Sequence, residues 1–454
     1  MMDKRPVSLK QQADKLHVDG DLDAARPLYI KYLALNPQDA GAWTNYGILL
    51  RKSKLYDAAV LAQRRAYALA KDDGVMNNNF ANVLSDIGCN EEAIALREAL
   101  LAIQPDSPEQ IALIGRALRI DGKLDEARAR LETAITQYPD DAELRMQLAF
   151  TELTAGNYAR GFRLYQARWE QSDIRAPKVP KPRWNGDDLT GKTILVFSEQ
   201  GFGDCILFTR FMPWLQSLGA KVILHAKPPI ASLVSQAHGV DQIISDLSDL
   251  PAFDVWTSMM DVPMFAFEAG ADIPAPTKLT LPDHAVTRAK IATKNHQDAF
   301  KIAVVWSGSA TYKGNDFRKF DHREILRLAA IDGVQCFSLY KGPFLDDFRT
   351  DGTAAFAIDL GSTDHDFADS AAVMAEMDLV ITMDTAIAHI AGSLDLPVWN
   401  LLHWDGFWLY GPDGDRTPWY PCMRLIRQPK PRDWDSVFDV VTRDLAPLVA
   451  AKKG

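Results

Sequence analysis

The segment TILVFSEQGFGDCILFTRF, residues 193–211, decides the fold of the larger part of the chain. It begins with a short β-branched and aromatic run, typical of a buried strand, and continues into an apolar run of helical length. Between the two runs lie Gly201 and Gly203, which allow a tight turn or a close approach of the backbone to a ligand. This order predicts a unit of a parallel α/β sheet, with binding residues at the carboxyl ends of its strands.

The same alternation of strands and helical segments continues to the end of the chain. The candidate strands form two groups, 194–198, 221–225, 242–245 and 255–257, then 302–306, 335–339, 379–383 and 398–402. A break near 274–299, rich in Pro and polar residues, separates the groups. We therefore predict two Rossmann-like halves, residues 193–283 and 284–454, with a cleft between them.

Asp204 follows the first glycine loop and opens the predicted helix. An aspartate at this place is commonly a helix N-cap. A carboxylate at a strand end also lies in the expected cleft, where it can accept a proton as a general base. The two interpretations are compatible.

The stretch LVITMDTAIAHIAG, residues 379–392, repeats the strand-to-helix pattern in the second half. The small residues after Asp384, namely Thr385 and Ala386, leave the first-turn N–H groups open to an anion, which the helix dipole favours. His389 shares a helix face with Thr385. A single His on a helix is usually structural, but beside an open helix N-terminus it can donate to a phosphate.

A third strand end opens the stretch WSGSATYKGNDFRK, residues 306–319. Trp306 and Ser307 end the strand, and the basic residues Lys313 and Arg318 follow. Charge runs are normally solvated faces. Because this one follows a strand end in the expected cleft, it predicts an anion site.

The first third of the chain is a repeat with a period of 34 residues. Three aligned columns carry the signal: Gly20, Lys54, Gly88, Gly122 and Gly156; Ala25, Ala59, Ala93, Ala127 and Gly161; Pro37, Lys71, Pro105 and Pro139. Period and pattern resemble the tetratricopeptide repeat, a helix–turn–helix unit. We predict an all-α solenoid over residues 1–173 and, after it, a linker over 174–192 that contains the Pro-rich stretch APKVPKPRWN.

Such a solenoid is expected to bind a protein or peptide in its groove, with Tyr29, Asn45, Asn78, Asn79 and Asn82 as candidate lining residues. The alternative is a rigid arm that only supports oligomerisation. The aromatic second helix of the last repeat, residues 158–170, is expected to dock onto the domain that follows, and the alternative is a solenoid cap.

Composition excludes several classes of protein. The 454 residues are 47% hydrophobic with a net charge of −10, which fits a globular protein and argues against nucleic-acid binding. Four separated cysteines, no signal-peptide pattern and no apolar run of about 18 residues predict a cytoplasmic protein without a transmembrane segment. The segment GDDLTGKT, residues 186–193, has the spacing of a P-loop, but it follows a Pro-rich linker and precedes a strand, so we reject that function.

The segments EQGFGD, WSGSATYKGNDFRK, DTAIAHIAG and the late Trp419-Tyr420-Pro421 with Arg424, joined to the repeats, resemble bacterial tetratricopeptide-repeat glycosyltransferases. Their catalytic part is similar to the family 9-like heptosyltransferases and, more distantly, to O-linked N-acetylglucosamine transferases. The resemblance implies the GT-B fold and an inverting transfer from a nucleoside diphosphate sugar to a protein or glycan, without metal or cofactor.

The resemblance also implies a role for each candidate residue. Asp204 would be the catalytic base. The donor site would comprise Gly201, Gly203, Trp306, Ser307, Lys313, Arg318, Asp384, Thr385, Ala386 and His389. Two alternatives remain open: a repeat scaffold with an inactive transferase-like domain, and a nucleotide-sugar hydrolase or epimerase.

Overall fold

The computed structural model describes residues 8–171, 174–312 and 314–453. The chain divides into two compact units, Met1–Leu148 and Ala149–Gly454. Paired helices occupy the first unit, and the last of them crosses into the second: α1 (Leu9–Val18), α2 (Leu22–Leu35), α3 (Ala40–Lys52), α4 (Tyr56–Leu69), α5 (Gly74–Asp86), α6 (Asn90–Ile103), α7 (Pro108–Ile120), α8 (Leu124–Gln137) and α9 (Ala142–Thr154).

The repeat columns have direct structural causes. Every member of the first column adopts a positive φ between two helices, and Lys54 does so without being glycine, at φ 62°. This left-handed turn reverses the chain in each repeat, which is why glycine predominates there. The alanines of the second column are buried where paired helices meet: Ala25, Ala59, Ala93 and Ala127.

The groove residues proposed from the sequence differ in their exposure. Tyr29 is fully buried and donates a hydrogen bond to Asp14 at 2.6 Å, so its expected place in a groove is wrong. A small Ala25 beside it leaves room for the ring to pack inward. The side chains of Asn45, Asn78, Asn79 and Asn82 remain partly exposed.

The strands lie in the second unit and pair in parallel. Their bounds are β1 (Thr193–Phe197), β2 (Lys221–His225), β3 (Gln242–Ile244), β4 (Val255–Ser258), β5 (Phe300–Val305), β6 (Val334–Ser338), β7 (Ala357–Asp359), β8 (Leu379–Met383), β9 (Val398–Leu402) and β10 (Met423–Arg427). Within the described residues they form a four-stranded sheet, β3-β2-β1-β4, and a six-stranded sheet, β10-β9-β8-β5-β6-β7. The fold class is therefore confirmed: helical repeats precede two parallel α/β halves, consistent with GT-B.

Helices connect these strands. Their bounds are α10 (Tyr158–Leu164), α11 (Phe202–Thr209), α12 (Met212–Ser217), α13 (Pro228–Ala231), α14 (Val262–Glu268), α15 (Asp283–Thr293), α16 (Asn315–Arg318), α17 (Glu324–Ala329), α18 (Leu345–Thr350), α19 (Phe367–Ala375), α20 (Ala386–Ser393) and α21 (Trp434–Lys453). Between α10 and β1 the chain forms a 3₁₀ helix, Tyr165–Glu170. The limits proposed for the two halves and the linker stay predictions.

The break near 274–299 between the two groups of strands contains the helix α15. Pro282 is the residue before this helix, and Ala285 and Ala289 are buried on its inner face. The helix therefore connects the two sheets through an apolar face of small residues.

The aromatic face of the last repeat packs onto both α/β halves, as expected. Phe162 of α10 stacks on Phe267 of α14, with ring centroids 5.8 Å apart and planes at 10°. The Phe162 ring also lies nearly perpendicular to the Trp408 ring, with ring centroids 5.6 Å apart. Tyr158 accepts a hydrogen bond from Nε1 of Trp419 at 3.0 Å. These rings bury apolar surface at the junction of three elements.

The linker contacts the edge of the first sheet through a single bridge. Arg183 forms a parallel bridge with Trp256 of β4, and the Trp184 N–H donates to the Trp256 carbonyl at 2.7 Å. The P-loop-like segment that follows leads directly into β1 and opens no helix, which is the context expected from the sequence.

Candidate functional site

A cleft of about 1100 Å³ lies where the strand ends of the two sheets converge. The loops after β1, β5, β6 and β8 all reach it, because the carboxyl ends of parallel strands share one edge. Most of the candidate residues line it: Gly201, Gly203, Asp204, Ser307, Arg318, Asp384, Thr385, Ala386 and His389.

One described candidate, Trp306, does not line the cleft. Trp306 is 2% exposed, and its ring packs against Tyr340 at 4.7 Å and Phe348 at 5.0 Å. Because side chains alternate along extended backbone, Val305 and Ser307 face the cleft and Trp306 faces the core, so its assignment to the donor site is wrong. Lys313 lies outside the described residues.

Asp204 is the third residue of α11, and its Oδ2 accepts the Gly201 N–H at 3.0 Å. The N-cap is Gly201, so the expectation that Asp204 is the N-cap is wrong; its carboxylate instead accepts the N–H of the N-cap residue from the third helical position. Burial raises the pKa of Asp204 to about 6, with the charge of Asp384 adding to the rise and the Gly201 hydrogen bond opposing it. A carboxyl group with this pKa is mostly ionised at neutral pH and is still a stronger base than an ordinary aspartate.

The first turn of α11 lies directly against α20 of the other half. A Cβ added to Gly203 would lie 2.7 Å from Cδ2 of His389 and 3.4 Å from Cα of Ala386. Only a residue without a side chain permits this approach. The contact brings Asp204 of the first half beside the helix start of the second.

Thr385 caps α20, its Oγ1 accepting the Ile387 N–H at 3.3 Å. The side chain of Asp384, one residue earlier, accepts a hydrogen bond from the Tyr410 hydroxyl at 2.8 Å. The small residues that follow leave the helix start accessible from the cleft. A helix start of this kind favours a bound anion, since its first N–H groups carry partial positive charge.

His389 is buried under this helix start, with Nδ1 3.1 Å from the Tyr420 hydroxyl. Burial lowers its pKa to about 4, the charge of Arg210 adding to the effect and that of Asp384 opposing it. The imidazole is therefore neutral at pH 7. If Tyr420 donates to Nδ1, the hydrogen is on Nε2, which lies on the side of Gly203 and the cleft.

Arg318 brings a positive charge to the cleft without a carboxylate partner among the described residues. Its guanidinium lies 4.3 Å from the centre of the Tyr312 ring, and its buried Nε has no hydrogen-bond partner. A Cβ added to Gly308 would lie 2.6 Å from Nη2 of Arg318 and 3.2 Å from Cγ2 of Thr385. Gly308 thus lets the free cation lie next to the cap of α20.

Asn315 holds the loop around this cation in shape. Its Nδ2 donates to Ser307 Oγ at 2.9 Å, and its Oδ1 accepts the Gly308 N–H at 3.0 Å. Lys319, the next basic residue, pairs with Asp316 at 3.0 Å and lies over the Phe344 ring, away from the cleft. Among the described residues of this loop, Arg318 is therefore the cation that faces the cleft.

Sequence reasoning missed several residues that line the cleft: Phe202, Lys227, Lys341, Asp364 and Asp366. Lys341 follows β6, so a search of every strand end would have found it. Asp364 and Asp366 follow β7, a three-residue strand that is not among the strands expected from the sequence. Burial raises the pKa of Asp364 to about 6, and Asp366 caps α19.

Within the described residues, no three His, Cys, Asp or Glu side chains lie together as a metal-ligand set. In the same part of the chain, no helix combines the length and apolarity needed to span a membrane.

Comparison with known proteins matches the helical part of the chain to two tetratricopeptide-repeat models, at residues 12–74 and 118–169. Protein FlbA of Caulobacter vibrioides is 23% identical over 469 aligned residues, which cover 94% of this chain and 76% of that protein.

Among solved structures, a glycosyl transferase family 9 protein from Veillonella parvula is 14% identical, with a TM-score of 0.40 over 57% of this chain and 90% of the other. YrrB, a tetratricopeptide-repeat protein with an unusual peptide-binding site, is 18% identical, with a TM-score of 0.33 over 37% of this chain and 86% of the other. The matched models identify the N-terminal helix pairs as tetratricopeptide repeats.

Proposed function

We propose that the cleft transfers a sugar from a nucleoside diphosphate sugar to a protein or glycan acceptor. One observation carries the proposal: Arg318, without a carboxylate partner among the described residues, lies beside the cap of α20 in the cleft that Asp204 also lines. The cation and the helix start suit the diphosphate. The carboxylate, from the other half, suits the hydroxyl that must lose a proton.

The proposed reaction is a single displacement with inversion and without a metal ion. Asp204 takes the proton of the acceptor hydroxyl as its oxygen attacks the anomeric carbon. The bond from that carbon to the diphosphate breaks, and the diphosphate leaves with the bonding electrons. Arg318 and the N–H groups at the start of α20 stabilise the charge that develops on the leaving group.

Two further groups fit this scheme. Neutral His389, with hydrogen on Nε2, can donate to an oxygen of the donor. Lys341 lies at the end of β6 and donates to the carbonyl of Asp364 at 2.6 Å, which places a second cation in the donor half of the cleft. Together with Arg318 it offsets the acidic side chains there.

The repeats are proposed to bind the acceptor. Tetratricopeptide repeats commonly bind proteins or peptides, and the partly exposed asparagines supply polar groups for a peptide backbone. In α5, Asn78 Oδ1 accepts from Gln110 at 3.0 Å and Asn82 Oδ1 accepts from Arg97 at 2.9 Å. These contacts orient the amide groups and leave their N–H₂ sides as donors.

The test is a thermal-shift screen of nucleoside diphosphate sugars in the presence of a chelator. We expect one base to raise the melting temperature, and Arg318→Ala to weaken that binding by about tenfold to a hundredfold because a charge-assisted contact is lost. Lys319→Ala is the matched control and should bind normally. If no donor binds the wild-type protein, the scaffold alternative is favoured.

A further inference from the structure

A buried charge cluster joins the last repeat to the loop that carries Asp204. Arg168, in the 3₁₀ helix after α10, forms two parallel hydrogen bonds with Glu199, at 2.8 and 3.0 Å. Glu199 lies just after β1. The same guanidinium reaches Asp261, beyond β4, at 2.6 Å, and the side chains of both residues are fully buried.

Three further residues close the cluster. Arg183 of the linker binds the second oxygen of Asp261 at 2.7 Å, and Trp169 donates to the first at 3.1 Å. Ser258 donates to Glu199. Two arginines thus face two carboxylates. Arg168 and Asp261 are fully buried, whereas the Arg183 side chain is 35% exposed. Such a cluster fixes geometry, because removing Arg168 leaves Glu199 without its arginine partner and Asp261 with only Arg183.

A second contact holds the next residue of the loop. Gln200 has φ 61°, a left-handed conformation that is unfavourable for a residue with a Cβ. Its side chain donates to the hydroxyl of Tyr165 at 2.5 Å, and its carbonyl accepts from Lys227. Tyr165 belongs to the same 3₁₀ helix as Arg168. The strained residue is therefore anchored by the repeat and leads directly into Gly201, whose N–H binds Asp204.

We propose that Tyr165 and Arg168 are positioning residues: the last repeat holds the loop from Glu199 to Asp204 in the geometry that the transfer reaction needs. The expected effect on kcat rests on the proposed function. The anchoring of the loop from Glu199 to Asp204 can be measured without any turnover. The last repeat then takes part in catalysis indirectly, since its side chains Tyr165 and Arg168 position the loop that carries Asp204.

Hydrogen–deuterium exchange of the full chain tests the anchoring. Tyr165→Phe removes one hydroxyl acceptor and keeps the ring, and Arg168→Lys keeps the charge but loses the paired contacts. Both should speed exchange in a peptide spanning residues 198–205 by about fivefold, the effect of one lost hydrogen bond. Tyr158→Phe is the matched control, because its hydroxyl accepts from Trp419 and not from the loop. Exchange that is unchanged in Tyr165→Phe, or equally raised in the control, overturns the proposal.

Kinetics give the second readout. In the two loop variants, kcat should fall by about fivefold or more while the donor KM stays the same, because the donor contacts lie in the other half. A loss of donor affinity without a change in kcat contradicts a positioning role. If the wild-type protein transfers no sugar, the proposed function fails, and the exchange measurement still decides the anchoring.

Discussion

At the scale of single residues, the cleft separates the tasks of two ionisable groups by their surroundings. Burial raises the pKa of Asp204 to about 6 and lowers that of His389 to about 4. As the pH rises from about 6 to neutral, Asp204 loses its proton and becomes available as a base. His389 is already neutral throughout this range. One group can therefore accept a proton and the other can donate a hydrogen bond under the same conditions.

This separation predicts the pH dependence of transfer. Because Asp204 must be ionised, kcat/KM should rise by about tenfold per pH unit below pH 6 and level off above it. The rise of kcat/KM up to pH 6 should persist in His389→Gln, because the histidine does not titrate in this range. The rate of this variant should be lower at every pH. Initial rates from pH 4.5 to 8.5 test this, and a rise that disappears with the histidine would assign the titration to the wrong group.

At the scale of elements, α11 and α20 meet through glycine. Gly203→Ala would place a methyl group against His389 and separate the two helix starts. We expect kcat to fall by about tenfold or more, since a displacement of about 1 Å at the reacting groups is costly. Gly74→Ala is the control, because its added Cβ would lie 3.5 Å from Leu100, an ordinary contact. Equal rates for the two variants in a transfer assay would show that the close approach has no catalytic role.

Most elements that build the site could be predicted from the sequence because their apolar runs are long enough to show a period. β1 and β8 are five-residue runs followed by small residues, and both were found with the residues at their ends. β7 has three residues and no distinct pattern, so Asp364 beyond it was missed. The direction of Trp306 was also missed, since the side on which a strand-end residue points depends on its neighbours in space.

The turn column of the repeats shows the same limit. Its glycines mark the turn of each helix–turn–helix unit, and the structure has a left-handed residue at each position. Lys54 adopts this conformation too, although nothing in its residue type predicts it. The 34-residue period, and not the conformational preference of lysine, identifies Lys54 as a member of the column.

At the scale of the whole molecule, the second unit begins before the end of the repeats. The last helix pair packs on the α/β halves through Phe162 and Tyr158 and supplies Arg168 to the buried charge cluster. The final repeat is therefore part of the folded core of the candidate enzyme.

This arrangement predicts how truncation affects stability. A chain that begins at Ala142 keeps all of these contacts and should melt cooperatively. A chain that begins at Ile174 lacks Arg168, so Glu199 loses its arginine partner and Asp261 keeps only Arg183, which should cost about 3–5 kcal/mol of unfolding free energy. Urea denaturation followed by circular dichroism compares the two. Equal stability would mean that the last repeat is only appended.

The central claim is that Asp204 is the base of a sugar transfer in this cleft. The most direct measurement compares turnover and donor binding in the wild-type protein and Asp204→Asn, with chelator present. Asparagine still accepts the Gly201 N–H, so the cap of α11 survives while the base is lost. We predict that turnover falls by at least about a hundredfold and that donor affinity is unchanged. Turnover close to that of the wild-type protein would contradict the account.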